Sequence, residues 1–490
     1  MIRFLLPSLR VFGIITVIFA ATMLVPLCVA WRTHDAARPV YLPAMAITIA
    51  IGVLLWLAGA RTHRELERRD GVLLACLTWM ALPVFATLPL LLYFSRAGTP
   101  MSFTDAYFEC MSGLTTTGAT ILVGLDALPP SINVWRCFLQ WIGGMGILVL
   151  AVAILPLLGV GGSELFRAES TGPMKDVKLT PRATETAKGL WTVYVLISLA
   201  CVLAYWIGGM TALDAWMHMF TTMSLGGLSS HDASFGHFQS PRLEWIGIAF
   251  MLVASCNFAL YFIALHKRSA ARIWQDLEYR WTMAIMVGSS GLVAALLYAR
   301  GVYSDPMEAL RTASFNVVSI ASTTGFASTD YNLWPRFAPV FMLLLSGVAT
   351  SAGSTGAGLK MIRVIIVFKQ AMRELARVAH PRAVSPVMIG GERVAPETVS
   401  ACIAFMMVYG VVIIALTSLL LLSDLNFDAA FSAVVASVNN TGPGLNEVGP
   451  ASNYKGLSDY QKWVCSFAMM LGRLEILTFL VMLSPSFWRR

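Results

Sequence analysis

The chain has 490 residues, of which 57% are hydrophobic and 13% are charged, and its formal net charge is +8. Soluble domains have about 25% charged residues, so this composition excludes an ordinary soluble protein. The apolar residues also fall in blocks long enough to cross the roughly 30 Å hydrocarbon core of a bilayer. We therefore predict an all-α polytopic membrane protein that is surrounded by lipid and has no nucleic-acid partner.

In chain order, two apolar blocks at residues 12–30 and 43–60 come first, and they predict two leading transmembrane helices within residues 1–70. A pattern then recurs about every 100 residues: a long apolar block, a shorter apolar stretch, a polar cluster with glycine, and a second long block. This internal repetition predicts four repeats, at residues 71–165, 166–275, 276–395 (with a broken second helix) and 396–490.

Basic residues cluster between the predicted spans, at residues 61–69, 175–188, 267–280 and 369–393. The positive-inside rule assigns such segments to the cytoplasm. With one span at each long block, both termini are then cytoplasmic, and the outer segments have a negative balance that attracts cations. We predict a multi-pass inner-membrane protein.

Each repeat has one polar cluster, and each cluster follows an apolar stretch too short to cross a bilayer. Acids near the start of three stretches could cap a helix, and Pro306 suits a first helical turn in the third. We predict four short helices whose partially negative C-terminal ends point at the membrane centre. Small residues also let helices pack closely, but four copies at similar spacing favour a shared site. The aligned glycines are Gly118, Gly226, Gly325 and Gly442, and the acids are Asp105, Asp214 and Asp428.

The chemistry that these clusters offer is a set of neutral oxygen ligands. A cation that enters the membrane loses its hydration, and backbone carbonyls can replace that water where non-helical backbone lines a cavity. Glycine permits the backbone angles that aim successive carbonyls at one axis, and four copies around an axis give rings of oxygen. No cluster has Asp or Glu before its glycine, so the pattern favours a monovalent cation over a divalent one.

The ordered motifs TTTGAT, TTMSLGGLSSHDAS, STTGFAS and NNTGPG resemble those of the Trk/Ktr/HKT superfamily of potassium transporters, and most closely its bacterial TrkH type. The resemblance covers almost the whole chain, and the two leading spans favour the TrkH type over the shorter Ktr subunit. It implies four membrane–pore–membrane repeats around a pseudo-fourfold pore that passes K⁺ and also Rb⁺. The implied selectivity filter consists of Thr116, Thr117, Gly118, Ser224, Leu225, Gly226, Thr323, Thr324, Gly325, Asn440, Thr441 and Gly442.

A glycine-rich run at residues 347–360 interrupts the second helix of repeat three. So many glycines make a regular helix costly, and the resemblance implies an intramembrane gating loop below the filter. Arg473 lies within a predicted span, where a charge is expensive. The resemblance implies that it contacts the loop, and a structural pair with Glu475 is the alternative. Lys360 is either a second gate contact or an interfacial anchor. The implied gate residues are Gly347, Gly353, Gly356, Gly358, Lys360 and Arg473.

The partners follow from the resemblance alone. TrkH-type proteins form homodimers and bind a cytoplasmic ring of nucleotide-binding RCK domains. The chain itself has no GxGxxG or GxxxxGK[ST] motif in a strand-to-helix setting. We therefore expect no bound cofactor, and we expect any nucleotide control to come from the regulatory subunit.

Two other function classes compete with a potassium pore. A symporter that couples K⁺ to H⁺ or Na⁺ usually has an acid inside the membrane or broken helices in paired halves, and Glu475 and Glu109 are the candidate acids. An enzyme is disfavoured, because the histidines are scattered and the neighbours His231 and Asp232 do not make a triad without spatial geometry. The cysteines form no CxxC pair and predict neither a metal site nor disulfides.

Overall fold

The structure is a computed structural model that describes residues 2–59, 68–154, 183–382 and 385–488. The predicted all-α class is confirmed, since the strands of these residues form only one short antiparallel hairpin, Met388–Ile389 with Glu392–Arg393. The basic stretches predicted at 61–69 and 175–188 lie largely outside the described residues.

The chain begins with three helices, α1 (Ile2–Thr22), α2 (Leu24–Thr33) and α3 (Arg38–Gly59). Helices α1 and α3 pack backbone to backbone, because a Cβ atom on Gly13 would lie 2.6 Å from the carbonyl oxygen of Gly52. Tyr41 of α3 attaches this pair to repeat one through a hydrogen bond of 3.1 Å to Ser131.

Each repeat consists of a long helix, a short helix and a second helix that is whole or broken. Repeat one has α4 (Arg68–Arg96), α5 (Phe103–Leu114) and α6 (Pro130–Ile154), and repeat two has α7 (Ala183–Gly208), α8 (Ala212–Met223), α9 (Pro241–Ala254) and α10 (Phe258–His266). After a helical turn, α11 (Ala271–Gln275), repeat three has α12 (Leu277–Ala299), α13 (Pro306–Ala321), α14 (Phe337–Val348) and α15 (Met361–Ala379). Repeat four has α16 (Pro396–Leu421), α17 (Phe427–Val438), α18 (Asp459–Arg473) and α19 (Leu477–Leu483), followed by α20 (Pro485–Trp488).

Three second helices are broken in the described residues, although the sequence predicted a break in repeat three alone. The axis bends by 87° between α9 and α10 and by 108° between α18 and α19, and residues 349–360 separate α14 from α15. Asn257 caps the start of α10, and Glu475 and Ile476 have positive φ at the break before α19. Six described helices are long and apolar enough to cross a membrane, or eight if each bent pair is one span.

The caps of the short helices lie two or three residues before the acids that the sequence suggested. Their N-caps are Ser102, Thr211, Asp305 and Asn426, whose side chains accept hydrogen bonds from the first turn. Asp105, Asp214 and Asp428 lie within the first turn, where a negative charge stabilises the helix dipole. The prediction that these three acids are the caps is therefore wrong, although the short helices themselves are present.

The outer faces of the long helices are apolar. Leu54, Ile207 and Val411 are exposed over 65%, 64% and 64% of their surface. Polar and charged side chains lie instead in the interior, among them Arg136, Gln140 and Arg473. This inside-out distribution suits a protein whose surroundings are lipid.

Candidate ion pore

The four predicted loops meet as neighbours in a closed ring. A Cβ atom placed on Gly118 would overlap the carbonyl oxygen of Gly226, and one on Gly227 would overlap that of Thr324. The same relation holds between repeats three and four and again between repeats four and one. The remaining pairs are Gly325 with the carbonyl oxygen of Thr441, and Gly442 with that of Thr117 at 2.6 Å.

The loop backbones share one conformation, and it corrects the alignment of repeat two. Positive φ values recur two residues apart in every loop. A backbone with such angles is not helical, and at membrane depth non-helical backbone is tolerated where it lines a cavity. In repeat two the glycine with positive φ is Gly227 and not the predicted Gly226, and Ser224 is the C-cap of α8. The positive-φ pairs are Thr116 and Gly118, Leu225 and Gly227, Thr323 and Gly325, and Asn440 and Gly442.

Hydrogen bonds from each loop to its own short helix support the corrected register. The backbone N–H of Thr117 donates to Ser112 at 2.9 Å, and that of Gly226 donates to Thr221 at 2.8 Å. Equivalent bonds of 2.8 Å come from Thr324 and Thr441. Gly226 is therefore the counterpart of three threonines, and the shift arose because two adjacent glycines give the sequence no unique alignment.

Gln140 of α6, a residue that the sequence reasoning missed, occupies the space beside Gly226. Its amide nitrogen donates to the Gly226 carbonyl at 2.6 Å, and its amide oxygen accepts from the Leu228 N–H at 3.1 Å. In repeats one and three the corresponding threonine hydroxyl lies instead within 2.8 Å of a helix-cap hydroxyl. No local pattern distinguishes Gln140, because the polar residues Asn133 and Arg136 lie in the same helix.

Asymmetry is also present between repeats four and one. The side chain of Asn440 donates to the Thr117 hydroxyl at 2.9 Å and to the Met469 carbonyl at 2.9 Å. Tyr454, which the sequence reasoning also missed, donates its hydroxyl to the Gly442 carbonyl at 2.8 Å. The ring is therefore fourfold in its backbone but not in the side chains around it.

The C-terminal ends of the four short helices adjoin the ring, because their C-caps immediately precede the positive-φ pairs. Aligned peptide dipoles give such ends a partial negative charge that favours a cation. The C-caps are Thr115, Ser224, Ser322 and Asn439.

An outer vestibule lies above the ring and is lined by residues of all four loops, including Gly118, Gly227, Gly325 and Gly442. Asp232 joins repeats one and two there, since its carboxylate accepts from the N–H groups of Gly124 and Leu125 at 3.0 Å each. This contact fixes the turn that contains Asp232 against repeat one.

His231 lies at the rim of this vestibule between two carboxylates. Burial opposes its protonation, but the hydrogen bonds to Asp214 and Asp126 raise the pKa of His231 above its ordinary value. The hydrogen bond from His231 in turn lowers the pKa of Asp126. The rim of the vestibule therefore holds a network of charged and titratable side chains.

The loop at residues 349–360 lies against the inner side of the ring. The hydroxyl of Thr355 donates to the Met223 carbonyl at the end of α8, at 3.0 Å. The Ala357 N–H donates to the Thr323 hydroxyl at 3.3 Å. A Cβ atom on Gly356 would lie 3.1 Å from the Ser322 carbonyl oxygen, so the loop packs tightly against the end of α13.

The predicted gate glycines lie together in or beside this loop. Gly347 accepts from the Leu359 N–H at 2.7 Å, and Gly353 accepts from the Phe258 N–H at 3.2 Å. Gly353 and Gly358 have φ values of 74° and 83°. The ammonium group of Lys360 donates to the Gly356 carbonyl, so this side chain is part of the loop.

Arg473 at the end of α18 connects this loop to repeat one. One guanidinium nitrogen donates to the Thr355 carbonyl at 3.2 Å, and another donates to the Gly143 carbonyl at 2.8 Å. The side chain is buried, with 1% of its surface exposed. Glu475 pairs instead with Arg363, at 2.7 Å, so the contact between Arg473 and the loop is present and Glu475 has a different partner.

Glu109 of α5, one of the candidate coupling acids, is fully engaged. It pairs with Arg136 at 2.7 Å, with both side chains 1% exposed. It also accepts from the Thr120 hydroxyl at 3.0 Å and from the Ile121 N–H at 3.0 Å. This pair connects the short helix of repeat one to its second long helix.

Comparison with known proteins places this arrangement in a family. The family model of TrkH, described as a cation transport protein, matches residues 37–490. The chain belongs to the TrkH family. The predicted membership is confirmed.

Similar proteins cover the chain almost from end to end. The Trk system potassium uptake protein TrkH of Salmonella typhimurium is 42% identical over 480 residues, which is 98% of each chain. TrkG of Escherichia coli, another Trk system potassium uptake protein, is 34% identical over 479 residues, or 97% of each chain. The crystal structure of the potassium transporter TrkH from Vibrio parahaemolyticus is 40% identical, with a TM-score of 0.90 over 98% of this chain and 99% of that one.

Proposed function

We propose that this TrkH-family chain is a potassium-selective pore subunit that mediates K⁺ uptake. The observation that supports it most is the closed ring of four non-helical loops, each with two positive-φ residues two positions apart. Such a backbone presents carbonyl oxygens that replace the water shell of a monovalent cation. The ring ligands belong to Thr116, Thr117, Gly118, Leu225, Gly226, Gly227, Thr323, Thr324, Gly325, Asn440, Thr441 and Gly442, with Ser224 at the end of its short helix.

The four loops of the ring differ in their side chains and hydrogen bonds, and these differences determine the selectivity for K⁺ over Na⁺. The Gly226 carbonyl oxygen accepts a hydrogen bond from Gln140, and the Gly442 carbonyl oxygen accepts one from Tyr454. Leu225 and Asn440 also stand where two repeats have threonine. We infer fewer well-formed ion sites than a ring of four identical loops would have.

The membrane potential drives this uptake. Each elementary charge gains about 2.3 kcal/mol per 100 mV, so an inside-negative potential accumulates K⁺ without a coupled ion. The chain lies in the bacterial inner membrane with both termini cytoplasmic, an orientation supported by its basic inner segments.

Residues 349–360 and Arg473 form the gate. The loop touches the inner side of the ring, and Arg473 holds its Thr355 carbonyl. A guanidinium charge beside the path also repels cations. Opening requires the loop to move away from the short-helix ends while Arg473 releases it.

A homodimer and a cytoplasmic nucleotide-binding regulatory subunit of RCK type complete the system. Helix α15 supports such a docking site, because the half-buried Arg373 and the exposed Arg377 lie one turn apart near its C-terminal end. We propose no enzymatic activity and no bound cofactor for the chain itself.

The test is ion flux in liposomes that contain the purified chain. We expect K⁺ and Rb⁺ to pass down their gradients and Na⁺ to pass much more slowly. Equal Na⁺ and K⁺ flux would count against the ring as a filter. Rescue of growth at low K⁺ in cells that lack uptake systems is the matching cellular measurement.

A symporter that couples K⁺ to H⁺ or Na⁺ is the second candidate. Its coupling acids would be Glu109 and Glu475, and both have arginine partners. A carboxylate paired with arginine accepts a proton less readily than a free one, which favours the uncoupled pore. Flux proportional to a proton gradient at zero membrane potential would favour the symporter instead.

A further inference from the structure

Two histidines and one carboxylate meet at the outer rim of the vestibule. His231 Nδ1 lies 2.5 Å from Asp126 Oδ1, and His237 Nδ1 lies 3.9 Å from the same oxygen. The two imidazole rings are stacked, with centroids 3.6 Å apart and an angle of 4° between their planes. One ligand atom from each of the three residues lies within 4.8 Å of the others, an arrangement that could hold a metal ion.

A fourth residue fixes the orientation of this cluster. Asp214, in the first turn of α8, contacts His231 Nε2 at 3.2 Å. Asp214 also accepts from the hydroxyls of Thr211 at 2.6 Å and Ser230 at 3.1 Å, so its own position is fixed. A carboxylate on one imidazole nitrogen directs the other nitrogen toward a metal, and this is the usual outer shell of a zinc-bound histidine.

We propose that Asp126, His231 and His237 form an extracellular binding site for a divalent transition-metal ion of the Zn²⁺ class. Two imidazole nitrogens and one carboxylate oxygen are typical ligands of Zn²⁺, with water as the fourth. The metal takes the place of the proton between His231 Nδ1 and Asp126, and that proton leaves to solvent. The hard cations Ca²⁺ and Mg²⁺ prefer an all-oxygen shell and are poor occupants.

The rings need only a local adjustment to accept the ion. Zinc lies about 2.0–2.2 Å from such ligands, so the His231–Asp126 contact must open and His237 must turn inward. Both movable residues have room, because Asp126 and His237 side chains are exposed over 48% and 45% of their surface. His231 is the fixed member, with 15% exposure and its carboxylate partner Asp214.

The site is close enough to the ion path to influence it. His231 and its neighbour Asp232 line the vestibule above the glycine ring. A bound dication at that rim adds positive charge where K⁺ enters, and like charges a few ångströms apart repel strongly when partly buried. External Zn²⁺ is thus an inhibitor of uptake, a consequence that rests on the proposed function, whereas metal binding does not.

Binding is measured first, on the purified full-length chain in detergent, by calorimetry with Zn²⁺ and by the visible absorption of Co²⁺ as a stand-in. We expect one site, and we expect His237→Asn and Asp126→Asn each to weaken it at least about tenfold. The matched control is His34→Asn, an exposed histidine that lies in another loop, and it should bind as the wild type does. Absence of binding, or equal binding by His237→Asn, overturns the proposal.

Flux is measured second, as Rb⁺ uptake into liposomes with and without external Zn²⁺, with each variant compared with its own zinc-free rate. We expect Zn²⁺ to slow the wild type and His34→Asn but to have at least about tenfold less potency on His237→Asn. Binding without slower flux overturns the inhibitory role. No Rb⁺ flux in zinc-free medium counts against the proposed function and leaves the binding result standing.

Discussion

At the scale of single residues, Gly226 and Gln140 show how the loop of repeat two keeps its shape without a threonine. Three loops have a threonine side chain at this position, and the second has a glycine next to an amide from α6. The amide occupies the free space and bonds to both sides of the loop. The pair therefore acts as a unit, and its two members should not vary independently.

The first prediction tests this unit. Gly226→Thr alone should lower K⁺ flux and selectivity, because the new side chain overlaps Gln140. Gln140→Ala alone should also impair the loop, because the Leu228 N–H loses its acceptor. Gly226→Thr combined with Gln140→Ala should recover part of the K⁺ over Na⁺ flux ratio in liposomes. Additive damage in the double variant would show that the two residues are independent.

Tyr454 sets a second single-residue prediction. Tyr454→Phe keeps the ring that packs on Phe108, with centroids 5.4 Å apart, but removes the hydrogen bond to the Gly442 carbonyl. A neutral hydrogen bond contributes about 1 kcal/mol, so the K⁺ over Na⁺ flux ratio should change by roughly fivefold. Tyr460→Phe at an exposed position is the control, and an equal change in both variants would refute the role of Tyr454.

At the scale of elements, the broken second helices place functional backbone where a straight helix would have none. The sequence predicted the break in repeat three, because a run of glycines disfavours helix. It did not predict the breaks after α9 and α18, because neither has a run of glycines like that of residues 347–360. Their cause is tertiary: Asn257 caps a new helix beside Gly353, and Glu475 turns toward Arg363.

Arg473 provides the prediction for these elements. Arg473→Ala removes two hydrogen bonds from a charged group, to Thr355 and Gly143, and such bonds contribute about 1.5–3 kcal/mol each. The loop should release more readily, and K⁺ flux should rise by roughly tenfold or more. Arg242→Ala, at an exposed position, should leave flux unchanged. A fall in flux would reject the barrier role of Arg473.

The Glu109–Arg136 pair provides another prediction, because it connects α5 to α6. Arg136→Gln leaves a buried carboxylate without its cation and should lower the free energy of unfolding by about 3–5 kcal/mol. Glu109→Gln combined with Arg136→Gln should lose much less, because no charge is left unpaired. Thermal unfolding in detergent measures both. Near-normal K⁺ flux in the double variant would also exclude Glu109 as a coupling acid.

At the scale of the whole molecule, the sequence was sufficient to predict the four repeats but not to align the loop of repeat two with the other three. Spacing, short helices and glycine clusters predicted four loops around one axis, since each is a local pattern. The identity of the second glycine depended on which of two adjacent glycines faces Thr324, a contact between repeats that no local pattern contains. Gln140, Tyr454 and the rim cluster escaped for the same reason.

Contacts between consecutive repeats also close the circle at the outer surface. Asp232 joins the first two repeats, and the Gly236 N–H donates to the Ala327 carbonyl at 3.2 Å between the second and third. The Tyr454 N–H donates to the Thr120 carbonyl at 2.9 Å and joins the last repeat to the first. The last repeat thus contacts the first, and both belong to one polypeptide.

That covalent continuity has an evolutionary consequence. In an assembly of four identical subunits, every mutation appears four times around the axis, so its effect on the conduction pathway is multiplied. Here a mutation changes the loop of one repeat and leaves the loops of the other three repeats unchanged. Ion preference can therefore be adjusted in small increments, and a quadrant such as the one with Gly226 can diverge without the loss of its neighbours.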